Sequence, residues 1–200
     1  PGGDLQTLTL PADYFATIYY HPDNVERNHP RQVTEVKRPP RIATTLAPDE
    51  TGKLVYNEDF MTEGFREFGP FSTHADYGGW KPGHLWLGME GGRPVGSTLV
   101  QRFSSPHELQ SLNVEITCWA NSRDLGGTVT LGVSPPHQPV RWQKVTKGPT
   151  HDGPLQVEIP AHAVKDLHEF DVHIMMNSIS GVECGDKPCA GVSNLKILAQ

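Results

Sequence analysis

Apolar and polar residues alternate most clearly across residues 95–142. Three strand-like runs follow one another there, VGSTLVQRF, LNVEITCWAN and GGTVTLGVS, and VRWQKV closes the stretch. Successive side chains of a strand point to opposite faces, so each run predicts one apolar face that a second sheet must cover. In 113–120, Val114, Ile116, Cys118 and Ala120 share the predicted inner face, and Glu115, Thr117 and Trp119 the outer one. In 128–134, Val129, Leu131 and Val133 oppose Thr128, Thr130 and Gly132. Pro135, Pro136 and Pro139 end that run. Leu155, Val157 and Ile159 then alternate with Gln156 and Glu158, and Val172, Ile174 and Met176 with Asp171, His173 and Met175. Residues 161–167 predict one helical turn, and VSNLKIL (192–198) a closing strand.

Ahead of this region, LVYNEDF (54–60) reads as a first strand and HLWLGM (84–89) as a short one. Gly and Pro make THADYGGWKPG (73–83) a predicted loop. Trp86, set between Leu85 and Leu87, and Trp142 are expected in the core. The pattern thus predicts about eight short strands and no long helix, an all-β sandwich or barrel over residues 51–200. Residues 1–50 differ. LQTLTL and YFATIYY could each be a strand, but Pro22, Pro30, Pro39, Pro40 and Pro48 interrupt the charged segment that follows. An extended N-terminal arm or linker is expected there, packed on this domain or on a partner.

Composition sharpens the picture. The 200 residues include 20 Gly and 18 Pro, a share that suits short strands joined by many turns. Net charge is −6 and the densest basic cluster is VKRPPR, so nucleic acid is not an expected partner. No apolar run approaches the ~20 residues of a membrane span. The chain starts at Pro1 rather than Met, which suits a mature or trimmed chain. Cys184 and Cys189 flank GDKP, a turn-forming tetrapeptide. They either close a small disulfide loop, which would suit a secreted, periplasmic or extracellular protein, or remain two thiols in a loop. Cys118 falls on the inner face as a core thiol.

The order STLVQRF, a strand ending at an aromatic, GGTVTLGVS, WQKV, FDVHIMM and AGVSNLKI resembles the galactose-binding-like jelly-roll domain, over about residues 54–200. Such domains serve as carbohydrate-binding modules and as accessory domains of secreted glycan-active enzymes. The resemblance implies an antiparallel jelly-roll sandwich that binds sugars without catalysis, in loops at one end or on an exposed sheet face. The family's usual SxDG turn reads SPPHQP (134–139) here, a departure that alters one loop. Many members carry a structural Ca2+ between the first and last strands. By position Glu58 and Asp59 would supply ligands, with Asn194 standing where some relatives have an acid.

Aromatic rings are the first candidates for sugar contact, because the C–H face of a pyranose stacks on a flat ring while its hydroxyls pair with polar groups. Tyr77 and Trp80 sit in a Gly-rich loop, either as a binding platform or as a plug over the end of the core. Strict alternation sends Trp119 and His173 outward. An outward Trp needs cover from a sugar, a partner or the N-terminal arm. Arg123 follows Trp119 in the next loop. The ten histidines form no HExxH or HxH, no GxSxG occurs, and GMEGGRPVG lacks the Lys-Ser/Thr of a phosphate loop. A non-catalytic module that binds a glycan, or docks on a catalytic domain or partner chain, is therefore expected. The alternatives are a β-sandwich glycoside hydrolase or polysaccharide lyase, and a structural domain without a small ligand.

Overall fold

The computed structural model describes residues 43–61, 78–87, 95–122, 127–165, 167–178 and 189–200, with the backbone alone at 78–80, 87, 95–97 and 178. Most of the expected arm, residues 1–42, lies outside them. In chain order the strands are β1 (Thr44–Thr45), β2 (Ala47–Pro48), β3 (Leu54–Glu58), β4 (Gly78–Lys81), β5 (His84–Leu87), β6 (Val95–Ser104), β7 (Leu112–Asn121), β8 (Gly127–Ser134), β9 (Trp142–Val145), β10 (Thr150–Ile159), β11 (Glu169–Ser178) and β12 (Ala190–Ala199), with one turn of helix, α1 (Ala161–Val164), before β11. The expected all-β sandwich is what forms, and no described helix is long and apolar enough to cross a membrane.

One sheet runs β1-β6-β11-β8-β9 and the other β10-β7-β12-β3-β2, with the β4–β5 hairpin joined to β12 through β5. Except for the parallel pair of β1 with β6, all pairings are antiparallel. The inner faces are those the alternation predicts. Val114, Ile116, Cys118 and Ala120 of β7 meet Val129, Leu131 and Val133 of β8 and Val172, Ile174 and Met176 of β11 in one buried cluster. In β12 the alternation slips, because a β-bulge at Ser193 puts an extra residue between Val192 and Leu195, both fully buried.

Three expectations change. Gly78–Lys81 is a strand rather than part of a loop, since Pro82 and Gly83 (φ 87°) make the tight turn that pairs it with β5. Trp86 faces away from the core, because it pairs with Gly191 while its neighbour Leu85 is the fully buried residue. Trp142 does pack against the core. Residues 43–50, placed in the arm by sequence, cross the sandwich edge. Thr44 and Thr45 pair with Phe103 and Ser104 of one sheet, Ala47 and Pro48 with Val55 and Leu54 of the other. Leu46 between them is 2% exposed and donates its N–H to Ser104 O at 2.9 Å. A two-residue bridge in each sheet thus seats an apolar plug in the open edge.

The outer face of the five-stranded sheet is also covered, in part. Thr130 and Ser134 of β8 are buried although they alternate outward. The segment 135–140 folds back over them. Val140 stands where a Cβ on Gly132 would meet it at 2.6 Å, and His137 (φ 59°) reaches Arg102. The sequence departure at SPPHQP is therefore a strap over this face.

Candidate functional site

Cross-strand register assembles a row on the outer face of the other sheet. Asp152 of β10 pairs with Trp119 of β7, Trp119 with Gly191 of β12, and Gly191 with Trp86 of β5. Directly paired residues share a face, so two tryptophans flank one glycine, their Cα atoms about 10 Å apart across two strand spacings. A Cβ placed on Gly191 would lie 1.9, 2.2 and 2.5 Å from Cζ2, Cη2 and Cε2 of Trp119. Near-equal distances to three adjacent ring atoms mean that the indole lies face-on over the glycine. One face of Trp119 rests on the backbone of β12, and the ring is only half-buried. The absent side chain of Gly191 creates the seat.

Polar groups ring this platform. His84 meets Trp119 edge-on, with centroids 5.7 Å apart and planes at 66°. Burial, and then the nearby Lys81 charge, hold the His84 pKa below its ordinary value, so the ring is neutral at pH 7. Lys81 pairs with His84 across the hairpin, is exposed, and holds Nζ 4.6 Å from the centre of the Trp86 ring. Asp152 is exposed on the far flank. Thr117 and Asn194, paired across β7 and β12, continue the face beyond the bulge. The group therefore offers one flat apolar ring, a neutral imidazole, an ammonium, a carboxylate and a hydroxyl.

The expected site residues do not all come together. Trp119 points outward as expected. His173 also points outward, but from the other sheet, on the opposite side of the sandwich. Its Nε2 lies 2.9 Å from Ser134 Oγ. Beside it, Arg102 Nε and Nη2 donate to Asp171 Oδ1 and Oδ2 at 2.8 and 3.0 Å. Arg102 Nη1 stands 3.2 Å from His137 Nε2, and because a guanidinium only donates, that nitrogen accepts. A serine, a histidine and an aspartate on one face resemble a nucleophilic set, but Ser134 has no exposure and Arg102 holds both Asp171 oxygens. This cluster fastens the 135–140 strap. Trp80 is described by backbone only, opposite Leu85. Tyr77, Arg123 and Cys184 lie outside the described residues. Cys189 is buried, and no disulfide is found among the described residues.

Glu58 ends β3, where Oε1 accepts the Phe60 N–H at 2.8 Å and Oε2 the Tyr56 hydroxyl at 3.1 Å. Asp59 Oδ1 accepts the Met61 N–H at 3.0 Å. Asn194 turns its amide nitrogen, not its oxygen, toward Glu58 O. Calcium takes about six to eight oxygens. No group of three or more His, Cys, Asp or Glu that could hold a metal occurs among the described residues. These carboxylates cap the turn that carries Phe60 (φ 57°) into the core.

Sequence alone missed His84, Lys81, Trp86, Asp152 and Gly191. Their usable signal was the phase of HLWL, in which an inward Leu85 sends His84 and Trp86 outward.

No family model and no curated protein matches this chain. Solved structures overlay on most of it. The carbohydrate-binding module TmCBM61, solved in complex with β-1,4-galactotriose, is 10% identical, with 78% of this chain and 87% of that chain covered and a TM-score of 0.36. The Stig cyclase Fisc from Fischerella sp. TAU is 12% identical, with 77% and 78% covered and a TM-score of 0.36. A chain described under CBM4 structure and function is 8% identical, with 78% and 91% covered and a TM-score of 0.29. Similarity at this level leaves the function to be read from the chain's own residues.

Proposed function

We propose that this chain is a non-catalytic carbohydrate-binding module whose platform is Trp119 on the outer face of the seven-stranded sheet. The observation that carries this reading is the face-on seat of Trp119 over Gly191. A flat, half-exposed ring rimmed by hydrogen-bonding groups suits the apolar face and equatorial hydroxyls of a pyranose. His84, Asp152 and Thr117 would meet those hydroxyls. A secreted, glycan-active parent protein of the galactose-binding-like type is part of the proposal, supported by the spacing of Cys184 and Cys189 and by the order of strands. The assembly alternative has less behind it. Large exposed apolar side chains among the described residues are Met61 and Val145, two residues where a docking face needs several.

One ring with a few polar neighbours predicts weak affinity, about 0.1–1 mM, or about 4–5.5 kcal/mol. A glycan array followed by calorimetric titration tests it. Trp119→Ala should abolish binding and leave the fold intact. Binding that survives Trp119→Ala would refute the platform, and a folded protein that binds nothing across a broad array would refute the function.

A further inference from the structure

We propose that the Trp119 platform selects acidic glycans, those carrying uronic-acid carboxylates, and that Lys81 is the selecting residue. The inference rests on the platform proposed above and assigns its substrate class.

Three observations converge on it. The first is the disposition of Lys81. It is exposed, its Nζ is held 4.6 Å from the Trp86 ring, and no carboxylate pairs with it among the described residues. A lysine in an acidic chain of net charge −6 that is anchored by an aromatic ring, with no acid paired to it among the described residues, keeps its charge available to a ligand. The second is continuity. Lys81 pairs with His84, and the His84 and Trp119 rings lie 5.7 Å apart, centre to centre. A sugar stacked on Trp119 therefore has the ammonium on its β4–β5 side. His84 is neutral at pH 7, which leaves Lys81 as the cation of that side among the described residues. The third is polarity. Asp152 stands directly across β7–β10 from Trp119, on the opposite flank. A carboxylate on that flank would be repelled and a hydroxyl accepted. The two flanks together direct a sugar's acid group toward Lys81 and its hydroxyls toward Asp152.

The experiment pairs each acidic glycan with its own carboxyl-reduced product, so that only the charge differs. Polygalacturonate, alginate, hyaluronan and glucuronoxylan oligomers, with their reduced counterparts, are titrated against the whole chain at low salt and at 0.5 M NaCl, roughly five times the ionic strength at which the screening length is about 10 Å. At least one acidic member should bind about two- to fivefold more tightly than its reduced form, a range suited to one exposed ion pair. The preference should shrink at high salt. Lys81→Met keeps an apolar stem over Trp86 and should bring the ratio close to one, while Asp152→Asn should raise affinity for the acidic member. Reduced forms that bind as well as acidic ones would overturn the proposal, and so would a preference that Lys81→Met leaves intact. If neutral glycans bind in a manner lost with Trp119→Ala and no acidic preference appears, the platform stands and the selectivity falls. If no glycan of either kind binds, both fall.

Discussion

Alanine at Gly191 probes the seat of Trp119 from beneath. Gly191 has no positive φ, so its backbone accepts an alanine without strain and the whole effect is packing. The new Cβ would stand 1.9 Å from Cζ2 of Trp119, against a normal carbon–carbon contact of about 3.5–4.0 Å. The indole must therefore rise or turn by about 2 Å. Overpacking of this kind costs about 1–3 kcal/mol in a closed core. Trp119 is half-buried and can swing toward solvent, so the low end is expected, about 1 kcal/mol, or about 2–4 °C in Tm for a chain of this size. The effect on a ligand is larger, because a displaced ring no longer lies parallel to the sheet. Affinity for whichever oligosaccharide binds the parent should fall about tenfold or more, about 1.4 kcal/mol. Calorimetric melting, near-ultraviolet circular dichroism of the tryptophans and titration report the three quantities. In a Trp119→Ala background the same substitution should be silent, since the clash has no partner. Unchanged melting, spectrum and affinity in the single variant would refute the face-on seat.

Other substitutions test the rest of the framework. Leu46→Ala removes the plug at the sandwich edge and should destabilise by about 2–5 kcal/mol in denaturant titration; a loss under about 1 kcal/mol would mean that residues 44–48 are not fastened to both sheets. Asp171→Ala takes the carboxylate away from the buried Arg102 guanidinium and should cost about 3–5 kcal/mol, whereas the double change Arg102→Met with Asp171→Leu should recover most of it; equal losses would contradict the buried pair. Burial, and then the Asp152 charge, push the Cys118 thiol up to about 12, and burial foremost pushes Tyr56 up to about 12. Both groups are held protonated in the fold, so the unfolded chain releases their protons first. Their stabilisation is complete below about pH 9 and drains away as pH rises toward about 12. Stability that stays flat between pH 9 and 12, or iodoacetamide labelling of native Cys118 at pH 8 seen by peptide mapping, would count against this account.

The inner faces were legible because each long strand has one face in the core, so alternation and burial share a phase. In β7 the buried and half-buried positions alternate along the whole strand. The phase failed where side chains could not report it. Trp86 lies between two leucines, so its outward turn is marked by His84 alone in the sequence, two residues before it, and in the fold by its pairing with Gly191. Ser193 hides in an apolar run whose period breaks there, because a bulge is a property of two strands rather than one. Gly78–Lys81 reads as a loop by composition, yet a Pro-Gly turn supplies a partner that overrides weak propensity. The site was half legible. Alternation sent both Trp119 and His173 outward, but it distinguishes in from out and not one sheet from the other. The neighbours of Trp119 come from β5, β10 and β12, strands distant in sequence, and their register is set by the whole sandwich.

The place of β12 in the middle of its sheet has a consequence for the order of events during folding. β7 and β3 are neighbours only through β12, and the β4–β5 hairpin reaches the sheet through it alone. Until residues 190–199 have been synthesised, the seven-stranded sheet is three disconnected pieces, and Trp119 has no glycine to rest on. The five-stranded sheet has all its strands before that, and its central β11 is also a late arrival. Non-local closure of this kind is slow, because the loop entropy is spent before the contacts repay it. The platform is therefore among the last features the chain acquires, and it is assembled by the same strand that completes the fold.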